Sequence, residues 1–190
     1  MMRSREQALV EKRMAVDLAA ITVFAALTAV GARLSFHLPY TPVPITGQVF
    51  CALLAGAALG PRLGFASQVQ YLAAGAAGLP VFSSGGGPAA LLGPTAGYLV
   101  GFPIAALVVG LALGRSRATW RAAAACLAGV CTIYIFGAAW FVFWSSFVGA
   151  RVALAPVLAQ SVFPFIGIDL VKAGLVAAAA PTVRRRLGLW

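Results

Sequence analysis

Long apolar runs, separated by short stretches of charge, proline and glycine, account for most of the 190 residues. A membrane-crossing helix needs about 20 mostly apolar residues to cover roughly 30 Å of hydrocarbon. Charges and helix breakers mark off six such runs, at 15–35, 46–59, 64–78, 94–114, 122–147 and 164–181. The first has Asp17 and Arg33 near its ends, and the second follows HLPYTPVPIT, too rich in proline to continue a helix. No charge occurs between Arg62 and Arg115, yet GLPVFSSGGGPAALLGP divides that stretch into two runs. A shorter apolar segment, 152–162, predicts an interfacial helix of its own. The pattern predicts an all-α integral membrane protein, a six-transmembrane-helix bundle forming one domain over 1–190.

Composition narrows the class further. The chain is 62% hydrophobic and only 9% charged, with a mean hydropathy of +0.95. A soluble domain is nearer 45–50% apolar and about 25% charged, and one this small could not hide so much apolar surface. Soluble and disordered folds are thereby excluded, and a lipid bilayer is the expected surrounding.

The charge is lopsided, with 14 Lys and Arg against 4 Asp and Glu. No basic face is interleaved with stacking aromatics, so nucleic acid is not an expected partner. The bases instead sit at the ends of apolar runs, where they report orientation. Six spans place Arg3, Arg5, Lys12, Arg13, Arg62, Arg115, Arg117, Arg121, Arg184, Arg185 and Arg186 on one face. Only Arg33 and Arg151 fall on the other, and Lys172 lies within the membrane. The positive-inside rule then predicts both termini inside, with a cytoplasmic segment 1–14 and a basic tail 182–190 in a cytoplasmic membrane. Five spans would scatter the basic clusters over both faces. The first apolar run is long for a signal peptide, and the charge pattern needs it as a span.

The scarcity of charge draws attention to PFIGIDLVKAG in the last run. On a helix Phe165, Asp169, Lys172 and Val176 share one face. Asp or Lys at the membrane centre costs about 2.5–3.5 kcal/mol each, so the pair is either a self-neutralising packing device or a binding site. A cation and an acceptor one turn apart suit a small ligand with a carboxylate and an N–H donor. The uncharged loop 79–93, with Gly85, Gly86 and Gly87 in a row, reads as a lid or as a re-entrant or flexible connector.

Gln48, Ser67, Gln68, Gln70, Tyr71 and Tyr98 carry hydrogen-bonding groups that lipid cannot satisfy. They are candidates for ligand lining or for interhelical bonding. Trp140 and Trp144 fit a pocket wall or an interfacial belt equally well. Ala15, Ala19, Thr22, Ala26 and Ala29 form a stripe of small residues at 4-3-4-3 spacing, which allows close helix approach within the bundle or to another protein.

Several chemistries are absent. The single histidine, His37, rules out HExxH or a His-rich metal site, and Cys51, Cys126 and Cys131 lack metal-ligand spacing. There is no GxSxG elbow, Asp169 is alone at membrane depth where an intramembrane aspartyl protease would need paired aspartates, and there is no GxxxxGK[ST] for ATP hydrolysis. The chain also lacks the internal repeat common in secondary transporters. No catalytic residue, metal or cofactor is expected.

Four segments together carry a resemblance: TPVPITGQVF (41–50), YLAAGAAGLPVF (71–82), GPTAGYLVGF (93–102) and PFIGIDLVKAG (164–174). They resemble the biotin-specific S components, the BioY family, of energy-coupling factor vitamin transporters. Ala96-Gly97, where the family commonly has Gly-Gly, and the SSGGGPAA stretch depart from its usual form. The resemblance implies a six-helix, non-enzymatic subunit that captures biotin from outside. Its partners would be a transmembrane coupling subunit and two ATP-binding subunits.

The resemblance also assigns residues. Asp169 and Lys172 fall on the family's binding positions, with Lys172 expected at the carboxylate and Asp169 at the ureido N–H, or the reverse through water. Gln48, Tyr71, Thr95 and Tyr98 are expected to line the site. The family's first helix docks on the coupling subunit through small residues, which points to Ala15, Ala19, Thr22, Ala26 and Ala29. The rival readings are an S component for another vitamin, a partner-independent small-solute carrier, and a scaffold in which the pair only stabilises packing.

Overall fold

The structure, a computed structural model, describes residues 2–150 and 152–187, with side chains from Glu6 onward. Arg151, residues 188–190 and the side chains of Arg3 and Arg5, expected at the membrane faces, lie outside the described residues. Six α-helices run α1 (Met2–Arg33), α2 (Gln48–Ala76), α3 (Ala96–Leu113), α4 (Thr119–Phe147), α5 (Leu154–Ser161) and α6 (Phe163–Leu187). All but α5 are long and apolar enough to cross a membrane, five candidate spans in all.

The two expected runs 46–59 and 64–78 lie together in α2, which is not straight. Gly60 sits at φ 81°, ψ −176°, a conformation that only glycine adopts without strain. Pro61 follows at the first position of the next turn, where its missing N–H has no helical partner to lose. The chain reverses there. Gln48 Nε2 donates to the Tyr71 hydroxyl at 2.5 Å across 23 positions, a distance that would be about 35 Å along a straight helix. A Cβ on Gly64 would lie 2.9 Å from the Gly56 Cα, so the two limbs touch backbone to backbone beside the reversal. The limb from Gln48 is too short by itself for roughly 30 Å of hydrocarbon, and the extended residues before it continue its path.

Those residues form a two-stranded ribbon. β1 (Ser35–Phe36) pairs antiparallel with β2 (Ile45–Thr46), Ser35 opposite Thr46 and Phe36 opposite Ile45. Prolines 39, 42 and 44 remove backbone donors from this segment, and the Thr41 and Thr46 hydroxyls accept from the N–H groups of Val43 and Gln48. The Gly47 N–H bonds back to the Gly31 and Leu34 carbonyls at the end of α1.

Helix α1 starts earlier than the hydrophobic pattern suggests. Nothing in residues 2–14 breaks a helix, so the segment expected as a separate cytoplasmic piece continues the same rod, 32 residues or about 48 Å long. Two polar pairs hold it to the second limb of α2: Gln68 Nε2 to Thr28 Oγ1 at 3.1 Å, fully buried, and Gln70 Nε2 to Thr22 Oγ1 at 3.2 Å. In an apolar surround such bonds supply association that hydrophobicity does not.

The last helix also exceeds its expected limit, carrying Arg184, Arg185 and Arg186 in its final turn rather than in a tail. Arg184 is buried. Its guanidinium donates to the carbonyls of Ala57, Ser116 and Gly114 at 2.6–2.8 Å, tying α6 to α2 and to the α3–α4 loop at one end of the bundle. Around that end the core is built of small residues, including Ala57, Ala122, Ala125, Ala173, Ala177 and Ala180. At the opposite end it is aromatic, with Tyr71, Phe82, Tyr98, Phe102, Phe141 and Phe165.

Replacing Gly60 by Ala forces a side chain into the reversal. It is expected to lower stability by about 1–3 kcal/mol, read as a lower midpoint in thermal unfolding of the detergent-purified protein. An unchanged midpoint would contradict the strain argument.

Candidate ligand-binding site

The aromatic end lines a partly open cavity of about 50 Å³, narrower than the roughly 300–1,000 Å³ usual for small-molecule sites. Its walls come from separate elements. The ribbon and the start of α2 supply Val43 to Thr46, Gln48 and Val49; α3 with its preceding turn supplies Thr95, Tyr98, Leu99 and Phe102. From α4 come Ile133 and Tyr134, from α6 Phe165, Asp169 and Lys172, and from the α2–α3 connection Ser83.

Chain direction orders these groups by depth. Ser83, Thr95 and Pro44 sit near the loop end, while Tyr134, Asp169 and Lys172 lie further along their helices.

The deep end is one hydrogen-bonded unit. Lys172 Nζ donates to Asp169 Oδ1 at 2.8 Å and to the Thr46 carbonyl at 2.7 Å. The Tyr134 hydroxyl donates to Asp169 Oδ2 at 2.7 Å. Asp169 is buried and Lys172 nearly so, with side-chain exposures of 5% and 13%. Each carboxylate oxygen thus already accepts one bond and keeps a lone pair, and the ammonium keeps one proton, free for a ligand. The unit is electrically neutral and presents a donor beside acceptors.

Of the expected lining residues, Gln48, Thr95, Tyr98, Asp169 and Lys172 reach the cavity. Tyr71 is among the core residues behind it and is almost fully buried. It receives the Gln48 amide, donates to the Val81 carbonyl at 3.2 Å and meets the Phe82 ring edge-on at 5.3 Å. Its role is to orient Gln48 and to pin the loop. Tyr98 lines the wall while its hydroxyl donates to the Ser161 carbonyl at 2.5 Å, fixing α5 over α3. Trp140 is not a wall residue; its indole N–H donates to the Gly93 carbonyl at 2.8 Å.

Sequence reasoning missed Tyr134 and the Thr46 carbonyl. Tyr134 lies in an apolar run, and its phenol at mid-helix was the available signal, because a buried hydroxyl needs a partner. A backbone carbonyl left free by an extended, Pro-rich stretch has no residue-type signal at all.

The connection 77–95 closes the loop end. It is pinned at several points rather than hanging free. Phe82 is fully buried, its ring lying where a Cβ on Gly75 would be. The Arg33 side chain from the end of α1 bonds the Pro80 carbonyl. The Gly87 N–H bonds the Gly75 carbonyl at 2.7 Å.

With this geometry established, likeness to known proteins becomes informative. The sequence pattern of the BioY family matches residues 3–189. The chain belongs to the BioY family. It is 41% identical to the probable biotin transporter BioY of Pyrococcus horikoshii over 174 residues, 91% of this chain and 96% of that one. It is 38% identical to the biotin transporter BioY of Thermotoga maritima over 163 residues, covering 85% and 90% of the two chains. The fold superposes on a crystal structure of the S component for biotin from an ECF-type ABC transporter with a TM-score of 0.82 and 28% identity. That match covers 92% of this chain and 93% of the other. Like its BioY relatives, this is a multi-pass membrane protein.

Removing Asp169 leaves the Lys172 ammonium without its counter-charge in a nearly closed site. Asp169→Ala is expected to destabilise by about 3 kcal/mol or more, whereas the double change Asp169→Leu with Lys172→Met is expected to recover most of that loss. Thermal midpoints of the three proteins in detergent check this; equal midpoints for Asp169→Ala and the parent would refute it.

Proposed function

We propose that this chain is the substrate-specific subunit of an energy-coupling factor transporter, capturing biotin for uptake across the cytoplasmic membrane. The observation that carries the reading is the neutral Tyr134–Asp169–Lys172 unit lining a partly open cavity, in a chain of the BioY family. A cyclic urea is the complementary group: its carbonyl accepts from Lys172, and an N–H donates to Asp169. The aromatic and aliphatic walls, Phe102, Phe165, Ile133 and Leu99, suit the fused rings and the acyl chain.

Geometry favours taking Asp169 and Lys172 to the same end of biotin. Their 2.8 Å contact makes them one polar unit, whereas the rings and valeryl chain hold the ureido and carboxylate groups apart. The carboxylate then faces the loop end, toward Ser83 and Thr95.

Six crossings, with both termini cytoplasmic, complete the proposal. The reversal of α2 at Gly60 and Pro61 supports counting its limbs separately. The gathering of Arg184 with the α3–α4 loop, which carries Arg115 and Arg117, supports one basic inner end.

Docking on a transmembrane coupling subunit, itself joined to two ATP-binding subunits, would use α1. Ala15, Ala19 and Ala26 are exposed and Ala29 half-buried, on the side opposite the buried Phe24, Thr28 and Gly31; Thr22 is exposed as well, with its hydroxyl bonded to Gln70 of α2. Small residues turned outward from a bundle allow another helix to approach closely. Capture and release would be this subunit's work, and ATP hydrolysis that of its partners.

Lys172→Ala is expected to weaken biotin binding by roughly 10²-fold or more, as for one partner of a desolvated charged pair. Titration calorimetry on the purified parent and variant reads this directly. Equal affinities, or a parent that binds a thiamine precursor in preference to biotin, would overturn the reading.

A further inference from the structure

A second chamber opens above the first. It is a partly open hollow of about 320 Å³ between the Pro-rich segment and the α2–α3 connection. The two chambers share Pro44, Ser83 and Thr95, which form walls in both. They are therefore neighbours at the loop end of the binding cavity, the end to which the proposed pose sends the acyl chain, with these three residues between them.

The outer chamber differs from the inner one in chemistry. Its remaining lining is small and uncharged, apart from the His37 ring: Ser84, Gly86, Ala89, Ala90 and others of that size. No Lys, Arg, Asp or Glu lines it among the described residues. The cation of the neighbouring α1 end, Arg33, is directed at the Pro80 carbonyl instead.

A free carboxylate arriving here meets hydroxyls but no fixed opposite charge. Binding selectivity comes from groups left unpaired when the wrong ligand is bound, and nothing in this chamber would be left so by loss of the carboxylate charge. Nor does the chamber end at the carboxylate, since its volume extends outward between the two loops.

Resting on the biotin reading above, we infer that this protein also binds biotin amides, in which the carboxylate is condensed with an amine such as a lysine side chain. The ureido end is read at Asp169, Lys172 and Tyr134. The amide and its substituent occupy the outer chamber, whose small residues leave room for it. The substrate class is then biotin and its tail-extended conjugates, the products expected from breakdown of proteins that carry biotin on lysine.

The test is competition against labelled biotin on the full-length purified protein, using N-ε-biotinyl-lysine as the probe. The conjugate is expected to bind within about tenfold of biotin. Ala89→Trp, which fills the outer chamber without touching the inner cavity, is expected to weaken the conjugate by about tenfold or more and to leave biotin within about threefold. Retained biotin binding also shows that the variant is folded. Tight biotin binding with a larger than tenfold loss for the conjugate would overturn the inference while sparing the biotin reading. So would an Ala89→Trp effect equal on both ligands. Failure of the parent protein to bind biotin would remove both.

Discussion

A charge placed at membrane depth must be met on every side, and the bundle is arranged around one such demand. Lys172 and Asp169 neutralise each other, but a lone pair of charges in hydrocarbon would still lack hydrogen bonds. The Thr46 carbonyl and the Tyr134 hydroxyl answer that need. Their positions require an extended segment to enter the bundle beside α6 and a tyrosine of α4 to face it. The same bonds that make the pair tolerable leave one ammonium proton and a lone pair on each carboxylate oxygen unused, on residues that line the cavity.

The rest of the molecule divides into a closed end and an open end. At the closed end alanines and glycines let backbones touch, as where a Cβ on Gly56 would lie 2.3 Å from the Ala106 carbonyl oxygen. Arg184 bonds three carbonyls there, one of α2 and two of the α3–α4 loop, tying these elements to α6. At the open end large aromatic rings hold the helices apart around the cavity, and the connections between helices form its mouth. Close packing resists expansion at the closed end, while at the mouth Tyr71, Trp140 and Arg33 each hold a loop carbonyl through a hydrogen bond.

Legibility in the sequence followed the strength of the physical signal. Asp169 and Lys172 stood out because so few charges occur, and both line the cavity. Gln48 and Tyr98 stood out as polar groups in apolar runs and line it too. Tyr71 gave the same signal but sits one layer behind, because a hydroxyl that orients another side chain looks identical in sequence to one that faces a ligand. Tyr134 was lost among apolar neighbours. Helices α1 and α6 run beyond the apolar spans 15–35 and 164–181, because hydropathy marks where apolar residues end and not where a helix ends.

By itself, the sequence determined the environment and the inventory: a membrane, long apolar helices, a Pro-rich extended stretch, and one ion pair with the right spacing on one helix face. Those follow from composition, periodicity and breaker residues, which act over a few neighbouring positions. Only the tertiary structure decided that α2 turns back at Gly60, that a carbonyl at Thr46 and a phenol at Tyr134 meet the ion pair, and that Ser83 and Thr95 line two neighbouring hollows. Each of these joins residues far apart in the chain, and hydrophobic pattern carries no record of which distant backbone comes to lie against which side chain.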